Sequence, residues 1–165
     1  MVSVGGDNIM VIQARFYDDI ADEMLRGATA VLAAANAKHT VVTVPGCLEI
    51  PAALTFVLRG DEMRPGGRPT YDGYVALGCV IRGETDHYEY VAGECMRGLS
   101  YAVRHHGIAL GNGVLTCNTY EQAWERAQVA NGDKGGIAAR AALAMMALRR
   151  TLTSPQGATP KSATP

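Results

Sequence analysis

Gly73-Tyr74-Val75-Ala76-Leu77-Gly78-Cys79-Val80-Ile81-Arg82-Gly83-Glu84-Thr85-Asp86-His87-Tyr88-Glu89-Tyr90-Val91 is the stretch from which the fold of this 165-residue chain is read. Up to Ile81 it carries no charge and includes β-branched and aromatic side chains, the pattern of a strand buried on both faces. Arg82-Gly83-Glu84-Thr85 breaks the run. The chain then restarts as a helix with a histidine in its first turn. A strand end, a short turn rich in backbone donors and a helix N-terminus together make a site for an anion. A histidine beside that site can exchange protons near neutral pH.

The same alternation extends in both directions. Residues 1–8 read as a loose arm and 9–14 as a short strand interrupted by Gln13. A helix from Asp18 or Asp19 to about Asn36 has Ile20, Met24, Ala28, Val31 and Ala35 at helical spacing. Residues 41–44 form a second strand, closed by Pro45-Gly46. A helix over 49–58 follows, with Pro51 tolerated in its first turn. Residues 59–72 are polar and rich in glycine and proline, hence an exposed loop. Beyond the central strand, a long helix over 86–104 stops at His105-His106-Gly107. Residues 108–115 read as a fourth strand broken by Gly111 and Gly113. Asn118 and Glu121 have capping-box spacing for a helix to about Val129. An alanine-rich helix over 134–150 comes next, and a Thr, Ser and Pro tail over 151–165 is expected to be disordered.

This β-α-β-α-β-α-β-α-α order predicts an α/β fold: a three-layer α/β/α sandwich around a four-stranded parallel sheet, flavodoxin-like. The domain spans 9–150, and the arm is free to add to a neighbouring subunit. Ligands in such sheets bind at the carboxyl ends of the strands. That rule selects residues 15–18, 45–49, 79–87 and 116–118.

Composition removes several classes of function. With 15 basic and 16 acidic residues the formal net charge is -1, which gives no electrostatic case for nucleic acid or an acidic membrane surface. Aromatic residues are only 6%, too few for interleaved base-stacking platforms. Cys47, Cys79, Cys95 and Cys117 show neither CxxC nor metal-ligand spacing and read as buried free thiols of a reducing compartment. The first residues lack the basic and apolar regions of a secretory signal, and no apolar run reaches the length of a membrane span. The cytoplasm is the expected location.

Each chemical candidate has a plain reading beside the functional one. His87 is either a surface residue of a helix start or a proton carrier beside a phosphate. Arg126 either solvates a helix face or offers a forked donor to a phosphate. Glu84 and Thr85 supply backbone N–H groups for an anion, provided the Glu84 carboxylate turns away. Phe16, directly after strand one, is packing or a platform for a planar ring. Glu49 caps its helix or accepts hydrogen bonds from a polyol. The residues alone reach an α/β enzyme handling a small phosphorylated compound.

Several blocks taken together resemble a known family. They are Ala14-Arg15-Phe16, Val44-Pro45-Gly46-Cys47-Leu48-Glu49-Ile50-Pro51, and Leu77-Gly78-Cys79-Val80-Ile81-Arg82-Gly83-Glu84-Thr85-Asp86-His87-Tyr88. Further along come Gly113-Val114-Leu115-Thr116, Glu121-Gln122-Ala123-Trp124-Glu125-Arg126 and Asp133-Lys134-Gly135. In order and spacing the set resembles the 6,7-dimethyl-8-ribityllumazine synthases of riboflavin biosynthesis, in the form found in alphaproteobacteria.

The resemblance implies condensation of 5-amino-6-(D-ribitylamino)uracil with 3,4-dihydroxy-2-butanone 4-phosphate, releasing phosphate and water, with no redox or metal cofactor. It implies that Phe16 stacks on the pyrimidine and that the backbone of Cys79, Val80 and Ile81 reads its polar edge. Cys47, Leu48 and Glu49 would flank the ribityl chain. Glu84, Thr85 and Arg126 would receive the phosphate, and His87 would move protons. Lys134 and Asn112 would line the second side of the site. Leu48 stands where an aromatic is usual, Tyr17 replaces a common asparagine and Asn112 a frequent aromatic, departures that bear on affinity. The resemblance also implies a homopentamer with sites shared between neighbours. Gln128-Val129-Ala130-Asn131-Gly132 differs from the usual shell sequence, so a single ring is expected. The rival readings are a lumazine- or flavin-binding or shell-forming paralogue with weak activity, and an unrelated nucleotide-binding module.

Overall fold

The structure, a computed structural model, describes residues 6–154. Its elements are β1 (Asn8–Ala14), α1 (Asp18–Ala34), β2 (Lys38–Val44), α2 (Glu49–Met63) and β3 (Gly73–Ile81). They continue with α3 (His87–His106), β4 (Leu110–Cys117), α4 (Tyr120–Ala127) and α5 (Lys134–Thr153). The strands form one parallel sheet in the order β2-β1-β3-β4.

Alternation along the inner strands feeds two separate cores. Ile9 and Val11 of β1 with Val75 and Leu77 of β3 point to one face, against Ile20, Met24, Ala28 and Leu32 of α1 and the alanines of α4 and α5. Met10 and Ile12 with Tyr74 and Ala76 point to the other, against Ile50 and Leu54 of α2 and Cys95 and Leu99 of α3. The result is the expected three-layer sandwich. Gln13 does not interrupt β1. It is buried, and its amide donates to the Ala21 carbonyl at 2.7 Å, so the first turn of α1 satisfies it.

Four local expectations are corrected. First, α2 continues through Gly60 to Met63, so the exposed connection begins only at residue 64. The cause is Asp61, buried and accepting from the Thr70 backbone at 3.1 Å, with Arg64 beside it at 3.1 Å. Second, Gly111 does not break β4. A Cβ at Gly111 would overlap the Ala138 carbonyl, so the glycine lets α5 lie directly on the strand. Third, the α4 cap is shifted by one residue: Thr119 Oγ1 accepts from Gln122 N–H at 3.3 Å, and Gln122 Oε1 accepts from Asn118 N–H at 2.9 Å. Fourth, residues 151–153 belong to α5, while 155–165 lie outside the described residues. Residues 1–5 of the arm lie outside them as well, and Asn8 already pairs with Lys38 of β2. As expected, α3 ends at Gly107, whose φ of 61° is the left-handed cap that glycine adopts without strain.

Candidate active site

At the carboxyl end of the sheet lies a cleft of about 400 Å³. Three connections build its walls: Phe16 and Tyr17 after β1, residues 45–49 between β2 and α2, and residues 79–88 from β3 into α3. The floor follows from strand length. β1 pairs with β3 only as far as Gln13↔Leu77, whereas β4 follows β3 to Ile81↔Cys117. The backbone of residues 79–81 therefore has a strand partner on the β4 side and none on the β1 side. A free strand edge offers alternating N–H and C=O groups to any planar molecule with a matching edge.

Phe16 is 71% exposed and stands edge-on to Tyr17, ring centres 5.0 Å apart. An aromatic face held open beside a hydrogen-bonding edge suits a flat heterocycle. Cys47 and Cys79 are buried and border the same cleft. Burial pushes the Cys47 thiol up to about 11, an effect that the Cys79 backbone N–H partly opposes and Glu49 reinforces. Burial, with Cys117, Cys47 and Asp19 nearby, pushes Cys79 up to about 12. Burial likewise raises the Tyr17 phenol, with the two cysteines adding to it. These groups are neutral near pH 7. The floor is therefore uncharged, and neither thiol is a ready nucleophile.

His87 opens α3, and its backbone N–H lies 3.4 Å from Thr85 Oγ1. Residues 82–87 are all exposed, so the free N–H groups at this helix start face solvent and the cleft mouth. Gly83, Thr85, His87 and Tyr88 belong to the cleft wall, while Glu84 sits in the same turn but off the wall.

The candidates thus divide. Phe16, Cys47, Leu48, Glu49, Cys79, Val80, Ile81, Thr85 and His87 meet in the cleft. Arg126 and Lys134 do not. They border a separate hollow of about 700 Å³ with Glu125, Asn131 and Gly132, on the α4–α5 side of the molecule. Arg126 Nη1 donates to the Gln122 carbonyl at 3.0 Å. Asp133 shapes that junction at a φ of 40°, accepting from Gly136 N–H at 3.1 Å and pairing with Arg140 at 3.0 Å. Asn112 is in neither place. It is exposed on β4, with Nδ2 3.1 Å from Met96 Sδ and Oδ1 accepting from Val114 N–H at 3.0 Å.

Tyr88 and Val91 line the cleft without having been singled out as site residues, and Tyr17, noted above only as a departure bearing on affinity, lines it too. Tyr17 directly follows a selected aromatic. Val91 sits four residues after His87 and three after Tyr88, so helical spacing was the available signal for it. Among the described residues, no three His, Cys, Asp or Glu side chains gather as a metal site.

Comparison with known proteins gives a consistent result. The family model for 6,7-dimethyl-8-ribityllumazine synthase matches residues 6–150. A 6,7-dimethyl-8-ribityllumazine synthase of Nitrobacter winogradskyi is 51% identical over 150 residues, covering 91% of this chain and 90% of that protein. One from Rhodopseudomonas palustris is 52% identical over 149 residues, covering 90% of each. The 6,7-dimethyl-8-ribityllumazine synthase 1 of Rhizobium meliloti is 51% identical over 152 residues, covering 92% of this chain and 97% of that protein. A match that takes in both the cleft and the separate hollow, at about half identity over nearly the whole length, decides the matter: this chain belongs to the 6,7-dimethyl-8-ribityllumazine synthase family.

Proposed function

We propose that the chain condenses 5-amino-6-(D-ribitylamino)uracil with 3,4-dihydroxy-2-butanone 4-phosphate to give 6,7-dimethyl-8-ribityllumazine, phosphate and water. The observation that carries this reading is the cleft itself. An open aromatic face, a free strand edge, a carboxylate and a helix N-terminus bearing a histidine meet in one space. That set matches a planar pyrimidine, its polyol chain and a phosphate in turn.

In this reading the pyrimidine stacks on Phe16, and its polar edge pairs with the backbone of residues 79–81. The ribityl chain runs past Cys47 and Leu48 to Glu49. The phosphate is received by the N–H groups of Glu84 and Thr85 at the start of α3. The free amine of the pyrimidine then attacks the ketone, and loss of water gives an imine. Proton removal next to that imine expels phosphate, which leaves as the anion. The enol left behind takes up a proton at its terminal carbon and becomes a methyl ketone. The ribityl-bearing nitrogen attacks that carbonyl and closes the ring with loss of a second water. His87 takes and returns protons in these steps. Alignment of the two reactants and charge stabilisation at the phosphate supply most of the rate.

The working unit in this reading is a homopentamer in which Arg126, Lys134 and Asn112 of one subunit complete the cleft of the next. Their separation from the cleft in a single chain supports sharing. Four free buried thiols fit the reducing cytoplasm. Incubation with both substrates, monitored for fluorescent lumazine, tests the proposal. Saturable binding of the pyrimidine with no turnover would instead favour a lumazine- or flavin-binding paralogue.

A further inference from the structure

Arg82 is the first residue beyond β3, and four of its contacts converge around the turn that follows. Its backbone N–H donates to the Cys117 carbonyl at 2.9 Å, adding one rung to the β3–β4 ladder. Its Nε donates to Asn118 Oδ1 at 3.3 Å, where β4 hands over to α4. Its Nη2 lies 2.7 Å from Glu89 Oε1 in the first turn of α3. Its guanidinium carbon is 4.2 Å from the centre of the Tyr88 ring, a residue of the cleft wall. A planar, forked cation can stack and pair in two directions at once, which an ammonium cannot.

The turn has little else to hold it. Residues 82–87 are exposed, and a Cβ at Gly83 would meet nothing within 4 Å. Inside the turn, the Thr85 side chain makes a single long contact with His87 N–H, at 3.4 Å, and the Asp86 carbonyl accepts from Glu89 N–H at 3.0 Å. Exposed ion pairs contribute little to global stability. What the Arg82 contacts control is therefore where the turn and the start of α3 sit. They also neutralise Glu89, whose carboxylate would otherwise stand unpaired beside a site for an anion.

We propose that Arg82 is a positioning residue. It straps the 83–86 turn and the first turn of α3 to the end of β4, and so fixes His87 and the N–H groups that meet the phosphate-bearing substrate. This rests on the function proposed above.

The test compares the parent with Arg82→Ala and Arg82→Lys in three measurements: steady-state kinetics with each substrate varied in turn, calorimetric titration with inorganic phosphate, and thermal unfolding. For Arg82→Ala, KM for the butanone phosphate should rise and kcat fall, by roughly 10-fold to 100-fold combined. KM for the pyrimidine should change little, inorganic phosphate should bind more weakly, and the unfolding temperature should stay close to the parent. Arg82→Lys, which keeps the charge but not the stacked fork, should fall between the two. Unchanged phosphate affinity and unchanged kinetics in Arg82→Ala would overturn the proposal. Equal losses for both substrates with a lowered unfolding temperature would also overturn it, by reducing Arg82 to a structural residue. A parent that makes no lumazine would refute the proposed function instead, and phosphate titration of parent and variant would still decide the strap.

Discussion

Arg126 and His87 carry separable tasks in the proposed reaction, and kinetics can distinguish them. A forked cation at a phosphate acts mainly in capture, so Arg126→Ala is expected to raise KM for the butanone phosphate. Unchanged KM and kcat would remove Arg126 from the site. His87→Ala should bind a non-reactive pyrimidine analogue normally but slow single turnover, by about 10²-fold or less, at or below the low end of what a general acid–base residue contributes. Equal rates and pH profiles in variant and parent would exclude proton transfer by His87. The thiols offer a third test at this scale. Burial raises Cys47 from 9.0 to about 11, and Cys79 and Cys95 to about 12. Between those values the unfolded chain has released thiol protons that the folded chain retains, so stability falls as pH rises through this window and is fully present below 9. Denaturant midpoints from about pH 8 to about pH 11 should decline in the parent and decline less in Cys95→Ala, which lies outside the cleft. Parallel declines would show that Cys95 does not contribute.

At the scale of elements, the cleft is a consequence of unequal strand lengths. β3 outruns β1 by the four residues 78–81 while β4 keeps pace. β4, which pairs with β3 along this length, is covered by α5. Gly111 is where that contact is tightest, because a Cβ there would meet the Ala138 carbonyl. Gly111→Ala is expected to push α5 outward at a cost of about 1–3 kcal/mol, the usual range for overpacking. A measured denaturant curve with unchanged midpoint would refute the close approach. Glu23 ties the same side together: its carboxylate accepts from Val129 N–H at 2.8 Å, and pairing with Arg26 holds its pKa below the usual carboxylate range.

For the whole molecule, the decisive geometry is the distribution of candidates over two separate hollows. If neighbouring subunits share each site, two impaired variants can repair one another. His87→Ala and Arg126→Ala, unfolded together and reassembled, should recover activity at about one site in four by random assortment. Sedimentation should show the recovered activity in the oligomer alone. No recovery in a correctly sized assembly, or a monomer with full specific activity, would sink the shared site.

The chain by itself determined the order of elements, the parallel sheet and the strand ends at which the cleft lies. These follow from local periodicity, because an apolar run buried on both faces and helices with one apolar stripe admit few arrangements. It also marked most of the cleft residues, since the motifs after β1, β2 and β3 occupy consecutive positions. Tertiary structure decided what depends on contacts distant along the chain. The reach of Asp61 to Thr70 extended α2, and the approach of Ala138 turned Gly111 from a strand breaker into a packing site. The mismatch between β1 and β3 opened the backbone edge. Arg126 and Lys134 were set apart from His87 because α4 and α5 lie on the face opposite α2 and α3. Local sequence could not reveal that separation: which face a helix covers is settled by the crossover and by the partners that bury its stripe.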